Sequence, residues 1–135
     1  MERLSERLTT ASKAIGPLEA ILKESKTAIV RDASIQRFEY SFEALWKAAQ
    51  LYLRAAESLD AGSPRAVIRA SMQVGLLDPE QARIALMMAD DRNLTVHTYN
   101  EDLAEAIYSR IVGYAPLMSL WVRTMQERVD REPQV

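Results

Sequence analysis

The chain has 135 residues, of which 48% are apolar and 27% are charged, a balance typical of globular domains rather than disordered chains. Its formal net charge of −2 argues against a protein that holds nucleic acid by bulk positive charge. The sequence contains no cysteine and one histidine, which excludes disulfides and a cysteine nucleophile and argues against structural zinc. We expect a single domain over residues 1–135 that needs neither a metal ion nor a cofactor.

The sequence predicts no membrane span. Its longest uninterrupted apolar run covers residues 84–89 and is far too short to cross a bilayer. Residues 1–7 mix charges of both signs and contain no apolar segment of the kind that a signal peptide needs. We therefore expect the protein to be cytoplasmic and to have no membrane partner.

Apolar residues spaced by alternate steps of four and three predict the first helix. They are Leu4, Leu8, Ala11, Ile15, Leu18 and Leu22. Gly16 and Pro17 interrupt this stripe without shifting its phase, which favours one bent helix, with two abutting helices as the alternative. We expect residues 31–34 to connect it to a second helix, whose apolar stripe begins at Ile35 and ends near Ser58.

Capping residues mark the helices that follow. A Ser-Pro pair at residues 63–64 predicts the start of a short helix that ends at Gly75, and an Asp-Pro pair at residues 78–79 predicts the next start. A last helix begins near Asn100 and ends near residues 132–133. No segment predicts a strand, so we expect an all-α, up-and-down four-helix bundle with one additional short helix.

The fourth helix ends in a polar segment where its apolar stripe should continue. This segment runs from Asp90 to Tyr99 and contains the one histidine, His97, five residues after Arg92. Such a conflict between apolar pattern and polarity indicates a functional site. On an ideal helix Arg92 and His97 point about 140° apart. We therefore expect either that the helix loosens near residues 95–96 or that a second chain completes the site.

The pattern Arg-x-x-x-x-His-x-Tyr from Arg92 to Tyr99, in an all-helical setting, resembles the signature of the HEPN superfamily. More narrowly, it resembles the small subunits that pair with minimal nucleotidyltransferases, among them the HepT-type toxins. Further segments resemble the second, third and fourth helix blocks of that family: residues 37–47, residues 63–69 with 75–78, and residues 91–100 with Glu105, Ile107 and Tyr108. The resemblance spans most of the chain and implies a HEPN-like fold and a homodimer.

The resemblance also implies a metal-independent endoribonuclease. In that reaction His97 takes the proton from a ribose 2′-hydroxyl and Arg92 stabilises the scissile phosphate, which leaves a 2′,3′-cyclic phosphate and a free 5′-hydroxyl. We expect Asn93 to orient the imidazole and Asp91 to hold the guanidinium of Arg92. The alternative is that Arg92 pairs with Asp90 or Asp91 and that His97 is a capping residue.

A separate chain, the cognate minimal nucleotidyltransferase, is the partner that the resemblance implies. In HepT-type toxins this enzyme attaches AMP to the tyrosine of the His-x-Tyr motif, which makes Tyr99 the candidate modification site. Added phosphate beside the histidine would repel RNA. The alternative for Tyr99 is an aromatic side chain that packs on the last helix. The chain lacks the combined Gly-Ser and Asp-x-Asp pattern of such transferases, so we do not expect it to transfer a nucleotide by itself.

Two other functions compete with the ribonuclease toxin. One is a non-catalytic substrate-binding or partner subunit of a two-chain nucleotidyltransferase, which the acidic balance of the chain and the adjacent Asp90 and Asp91 favour. The other is a helical dimerisation module whose polar motif has lost its chemistry. Arg37 and Tyr40 are further binding candidates, because Tyr40 lies outside the apolar stripe of its helix and is free to face a partner or the site.

Overall fold

Five helices make up the structure, a computed structural model that describes residues 2–97 and 100–131. They are α1 (Glu2–Ile21), α2 (Ala28–Glu57), α3 (Pro64–Gln73), α4 (Pro79–His97) and α5 (Glu101–Arg131). The described residues contain no strand, and the predicted bundle of four main helices and one short one is confirmed. No helix among these residues has the length and hydropathy to cross a membrane.

The long helices α1, α2 and α5 pack against one another and bury most of the core. The stripe that predicts α1 is buried from Leu4 to Leu18, and Phe38 of α2 stacks on Tyr114 of α5 with ring centroids 5.7 Å apart. Helix α3 packs on α2 and α4, and α4 packs on α2 and α5. The C-terminal end of α4 is thereby fixed between the two longest helices of the bundle.

Helix α1 continues through Gly16 and Pro17 as one helix. The prediction of a single helix is confirmed, and the alternative of two abutting helices is wrong. Ile15 and Leu18, on either side of the proline, are both buried against the rest of the core. Tertiary burial of the stripe compensates for the backbone hydrogen bond that a proline removes from a helix.

The predicted connection at residues 31–34 is wrong. The chain turns at residues 22–27, and Thr27 begins α2 by accepting a hydrogen bond at its side-chain oxygen from the backbone N–H of Val30 (3.0 Å). Arg31 and Ser34 lie inside α2 and are buried. Arg31 is tolerated there because carboxylates from the start of α5 bind its guanidinium, a neighbour that local sequence does not reveal.

The predicted caps are confirmed. Ser63 accepts a hydrogen bond from the backbone N–H of Ala66, and Asp78 accepts one from the backbone N–H of Gln81. Gly75 adopts φ of 78° after α3, a left-handed conformation that a residue with a Cβ rarely adopts. These caps set the short α3 and turn the chain so that α4 returns along α2.

Candidate functional site

Helix α4 remains α-helical as far as His97, so the predicted loosening near residues 95–96 does not occur. The Thr95 hydroxyl donates to the backbone carbonyl of Arg92 (2.7 Å), one turn earlier on the same helix. In a regular helix five residues correspond to a rotation of about 140° and a rise of about 7.5 Å. Arg92 and His97 of one chain therefore project from different faces of α4.

Arg92 is held in place by Glu43 of α2. Its Nη2 donates to the Oε2 of Glu43 (2.8 Å), and its side chain remains 30% exposed. Glu43 also accepts from the indole N–H of Trp46 (3.0 Å) and pairs with Lys47 (3.1 Å). Partial burial works to raise the pKa of Glu43, but the hydrogen bonds from Trp46 and Lys47 and the charge of Arg92 together lower it. An ionised Glu43 thus fixes the orientation of Arg92.

Asp91 has a structural role that the sequence did not indicate. Its buried carboxylate accepts two hydrogen bonds from Arg110 (both 2.7 Å) and one from the hydroxyl of Tyr114 (2.6 Å). The expectation that Asp91 holds the guanidinium of Arg92 is wrong, because Glu43 fills that role. Asp91 instead joins α4 to α5 directly beside Arg92.

The polar neighbours of this segment face solvent. Asp90 pairs with Arg65 of α3 (2.6 Å), so the alternative in which Arg92 binds Asp90 or Asp91 is also wrong. Asn93 and His97 are exposed near the end of α4, one turn apart on one face. Tyr99, the candidate modification site, lies outside the described residues, and its role stays a prediction.

A cluster around Arg31 fixes the start of α5, the element that follows residues 98–99. Arg31 donates to Glu101 (3.1 Å), to Glu105 (2.9 Å) and to its neighbour Asp32 (3.0 Å). Lys26 also pairs with Glu105. Sequence reasoning missed this cluster, because the apolar pattern placed Arg31 in a connection. The one local signal was a pair of carboxylates spaced by four residues in the first turns of α5.

The other two binding candidates lie at the seam between α1 and α2. Arg37 donates to the backbone carbonyl of Pro17 (3.0 Å), and the side chain of Tyr40 is 73% exposed. Together with Lys13 they line an open depression of about 330 Å³. Glu43 lies one turn further along α2 and binds Arg92 on the side that faces α4.

The described residues contain no group of three or more histidine, cysteine, aspartate or glutamate side chains placed to hold a metal ion. The groups that the end of α4 offers for chemistry are the imidazole of His97 and the guanidinium of Arg92. The first can accept or donate a proton, and the second can stabilise negative charge.

A five-helix bundle with an accessible arginine and histidine at the end of its fourth helix has the HEPN-like fold of toxins known from toxin–antitoxin complexes. Within that class, the chain belongs to the family described as nucleotidyltransferase substrate binding protein like, which it matches over residues 6–127. The resemblance noted in the sequence is thereby confirmed. No curated protein matches the chain.

Solved structures have a similar fold. A protein from Thermus thermophilus is 52% identical, with a TM-score of 0.79 over 90% of this chain and 99% of that one. A chain of the toxin–antitoxin complex MntA–HpeT is 15% identical, with a TM-score of 0.76 over 94% of this chain and 99% of that one. A chain of the complex between a tri-AMPylated Shewanella oneidensis HEPN toxin and its MNT antitoxin is also 15% identical, with a TM-score of 0.72 over 92% and 96% of the two chains. At 15% identity the last two likenesses establish the fold alone.

Proposed function

We propose that this chain is the toxin of a toxin–antitoxin pair, a metal-independent endoribonuclease that acts in the cytoplasm under the control of a separate minimal nucleotidyltransferase. The observation that carries the proposal is the arrangement at the end of α4. There an ionised Glu43 orients a partly exposed Arg92, and an exposed His97 follows on a regular helix.

Each of the two side chains suits one part of RNA cleavage. Neutral histidine accepts the proton of a 2′-hydroxyl as its oxygen attacks the adjacent phosphorus. The bond between phosphorus and the 5′-oxygen breaks as this oxygen takes up a proton from water, which gives a 2′,3′-cyclic phosphate and a 5′-hydroxyl. Arg92 donates one hydrogen bond to Glu43, which leaves further N–H donors of its guanidinium for the phosphate oxygens.

The active site in this proposal is built from two copies of the chain. Because α4 stays regular through His97, Arg92 and His97 of one chain do not converge on one phosphate. A two-fold axis beside α4 would bring Arg92 of one copy toward His97 of the other. The homodimer is therefore part of the proposed mechanism.

The antitoxin in this proposal silences the toxin by attaching AMP to Tyr99. The modified residue would lie two positions after His97, where added phosphate repels the RNA backbone. The tri-AMPylated Shewanella oneidensis toxin, whose fold this chain shares, supports such a modification. Mass spectrometry of the chain purified with and without its cognate transferase would test it.

The first experiment measures cleavage of end-labelled RNA in EDTA by the wild type, by Arg92→Ala and by His97→Ala. Removal of one essential acid–base or phosphate-binding group typically lowers the rate by about 10²-fold or more. Arg123→Ala, which removes an exposed arginine of α5, is the matched control and should retain full activity. Equal cleavage by the wild type and His97→Ala would overturn the role of His97, and no cleavage by the wild type would overturn the ribonuclease assignment. Products without a cyclic phosphate would overturn the mechanism.

A mixing experiment tests the composite site. Neither Arg92→Ala nor His97→Ala should cleave RNA alone, but their mixed dimer contains one site with both residues intact. Random exchange of subunits makes half of the dimers mixed, and each mixed dimer has one of its two sites intact. The mixture should therefore recover roughly a quarter of wild-type activity. A mixture that stays inactive although subunits exchange would show that both residues must come from one chain.

A non-catalytic partner subunit of a two-chain nucleotidyltransferase is the second candidate. The ion pair between Glu43 and Arg92 favours it, because a carboxylate already occupies one side of the guanidinium. Wild-type protein that dimerises, carries no modification at Tyr99 and leaves RNA intact would establish this candidate over the first.

A further inference from the structure

Two open depressions lie along the seam between α1 and α2, and together they are called the groove. Arg37 and Tyr40 line one depression of about 330 Å³, and Arg3, Arg7 and Ala44 line a second of about 370 Å³. Ala44 follows Tyr40 by four residues on α2, so the two depressions lie in line, one helical turn apart. The groove therefore runs along the outer side of both helices for several turns.

The groove is basic although the chain as a whole is acidic. Among the described side chains four cations line it, against one carboxylate, Glu6; the cations are Arg3, Arg7, Lys13 and Arg37. Among the described residues none of the four has a carboxylate within ion-pair distance. Elsewhere in residues 2–97 and 100–131 six arginines do pair with carboxylates: Arg31, Arg54, Arg65, Arg83, Arg92 and Arg110. The positive charge of the groove is thus available to an anionic partner.

Tyr40 adds an aromatic surface at the rim of this groove. Its ring is 73% exposed, which leaves most of it without protein contacts. Below it, Arg37 is anchored to the carbonyl of Pro17 and has further N–H donors to offer. Exposed aromatics beside a basic groove are the usual features of proteins that bind single-stranded nucleic acid by stacking bases and neutralising phosphates.

The groove leads toward the candidate site. Tyr40 and Glu43 are three residues apart on α2, and side chains at this spacing are neighbours on a helix surface. Glu43 binds Arg92 on its other side, and its charge is offset there by Lys47 as well. A strand that lies in the groove can pass over one turn of α2 to reach Arg92. On that path it meets one carboxylate, the half-buried Glu39, that has no ion-pair partner among the described residues.

We propose that the groove between α1 and α2 binds single-stranded RNA and guides it to Arg92, with Lys13 and Arg37 on the phosphates and Tyr40 stacked on a base. The inference rests on the proposed ribonuclease function, and it answers how a chain of net charge −2 holds RNA. Local charge in the groove replaces the bulk positive charge that the sequence lacks.

The test measures binding rather than cleavage. A fluorescent 2′-O-methyl RNA of about 12 nucleotides, which cannot be cleaved at a 2′-hydroxyl, is titrated with the protein and followed by anisotropy. Lys13→Glu/Arg37→Glu should abolish most of the binding. Arg69→Glu/Arg123→Glu removes two exposed cations from α3 and α5 with the same change of charge, and it should bind nearly as the wild type does. Tyr40→Ala should weaken binding about tenfold, the effect of losing one stacked base.

Salt dependence provides a second readout that a general change of charge would not reproduce. Each phosphate that the protein no longer neutralises should reduce the slope of log affinity against log salt by about 0.7 for a single strand. Lys13→Gln/Arg37→Gln should therefore reduce the slope by roughly 1.4. These neutral variants also serve if the charge-reversed protein fails to fold, which thermal melting would reveal.

The outcomes separate the groove from the ribonuclease. If binding depends on the groove residues but the wild type cleaves no RNA, the proposal of RNA binding in the groove is supported and the proposal of ribonuclease activity is overturned. Cleavage by the wild type with binding that is equal in the groove and control variants would overturn the groove alone. Complete displacement of the RNA by ATP would show that the groove binds a mononucleotide rather than an RNA strand. This result would also overturn the proposal.

Discussion

Replacement of Asp91 with alanine removes the carboxylate that joins α4 to α5 beside Arg92. The side chain of Asp91 is 6% exposed, and its three hydrogen bonds reach Arg110 and Tyr114. The Tyr114 hydroxyl is buried, so it loses its acceptor without gaining water, at a cost of about 1–3 kcal/mol. Arg110 is 35% exposed and can turn toward solvent, so its loss adds only about 1 kcal/mol.

The sum predicts a loss of about 3 kcal/mol in the free energy of unfolding. For a chain of this length, that corresponds to a fall of about 10 °C in Tm. Urea denaturation and thermal melting followed by circular dichroism measure the two quantities. Asp91→Asn should cost less than Asp91→Ala, because its amide oxygen can still accept from Tyr114 although the charge is lost.

Two further variants make the prediction specific. Asp90→Ala is the matched control, since this carboxylate is 63% exposed and its pair with Arg65 should contribute no more than about 1 kcal/mol. Tyr114→Phe in the Asp91→Ala background removes the orphaned hydroxyl, so the double variant should be more stable than the sum of the single losses predicts. If Asp91→Ala and Asp90→Ala were equally stable, the reasoning about the buried carboxylate would be refuted.

Two other predictions follow from the ion pairs around the site. The pKa of Glu43 is lowered from its ordinary value of 4.5, so the stabilisation it contributes is present above that pH and is lost as the pH falls through the folded-state pKa. In urea titrations the difference in free energy of unfolding between wild type and Glu43→Gln should therefore be largest near neutral pH and should shrink as the pH falls below 4.5. A difference that widens in acid would contradict the ion pair with Arg92. Arg31→Met keeps a similar volume but removes the ion-pair partner of Glu101 and leaves Glu105 with Lys26. Hydrogen exchange of the first turns of α5 should therefore speed up, while that of α3 should not change. Unchanged exchange in α5 would show that the cluster does not fix this element.

The helices and their caps could be predicted from the sequence because their signals are local. Apolar spacing, the Ser-Pro and Asp-Pro pairs and the left-handed Gly75 act within one or two turns of the chain. The same is true of the motif that includes Arg92 and His97, whose spacing indicates the family without any knowledge of the packing. The start of α2 was misplaced because a buried arginine imitates a polar connection, as Arg31 shows.

The partners of the polar side chains were decided only by the tertiary structure. Arg92 binds a carboxylate 49 residues away rather than either adjacent aspartate, and Asp91 binds α5 rather than Arg92. An α-helix directs each successive side chain about 100° further around its axis, so sequence neighbours on α4 face different helices. Which carboxylate meets which arginine therefore depends on how α2, α4 and α5 pack. The sequence by itself determined the helices and the motif, whereas packing determined which groups orient the motif and where the basic groove lies.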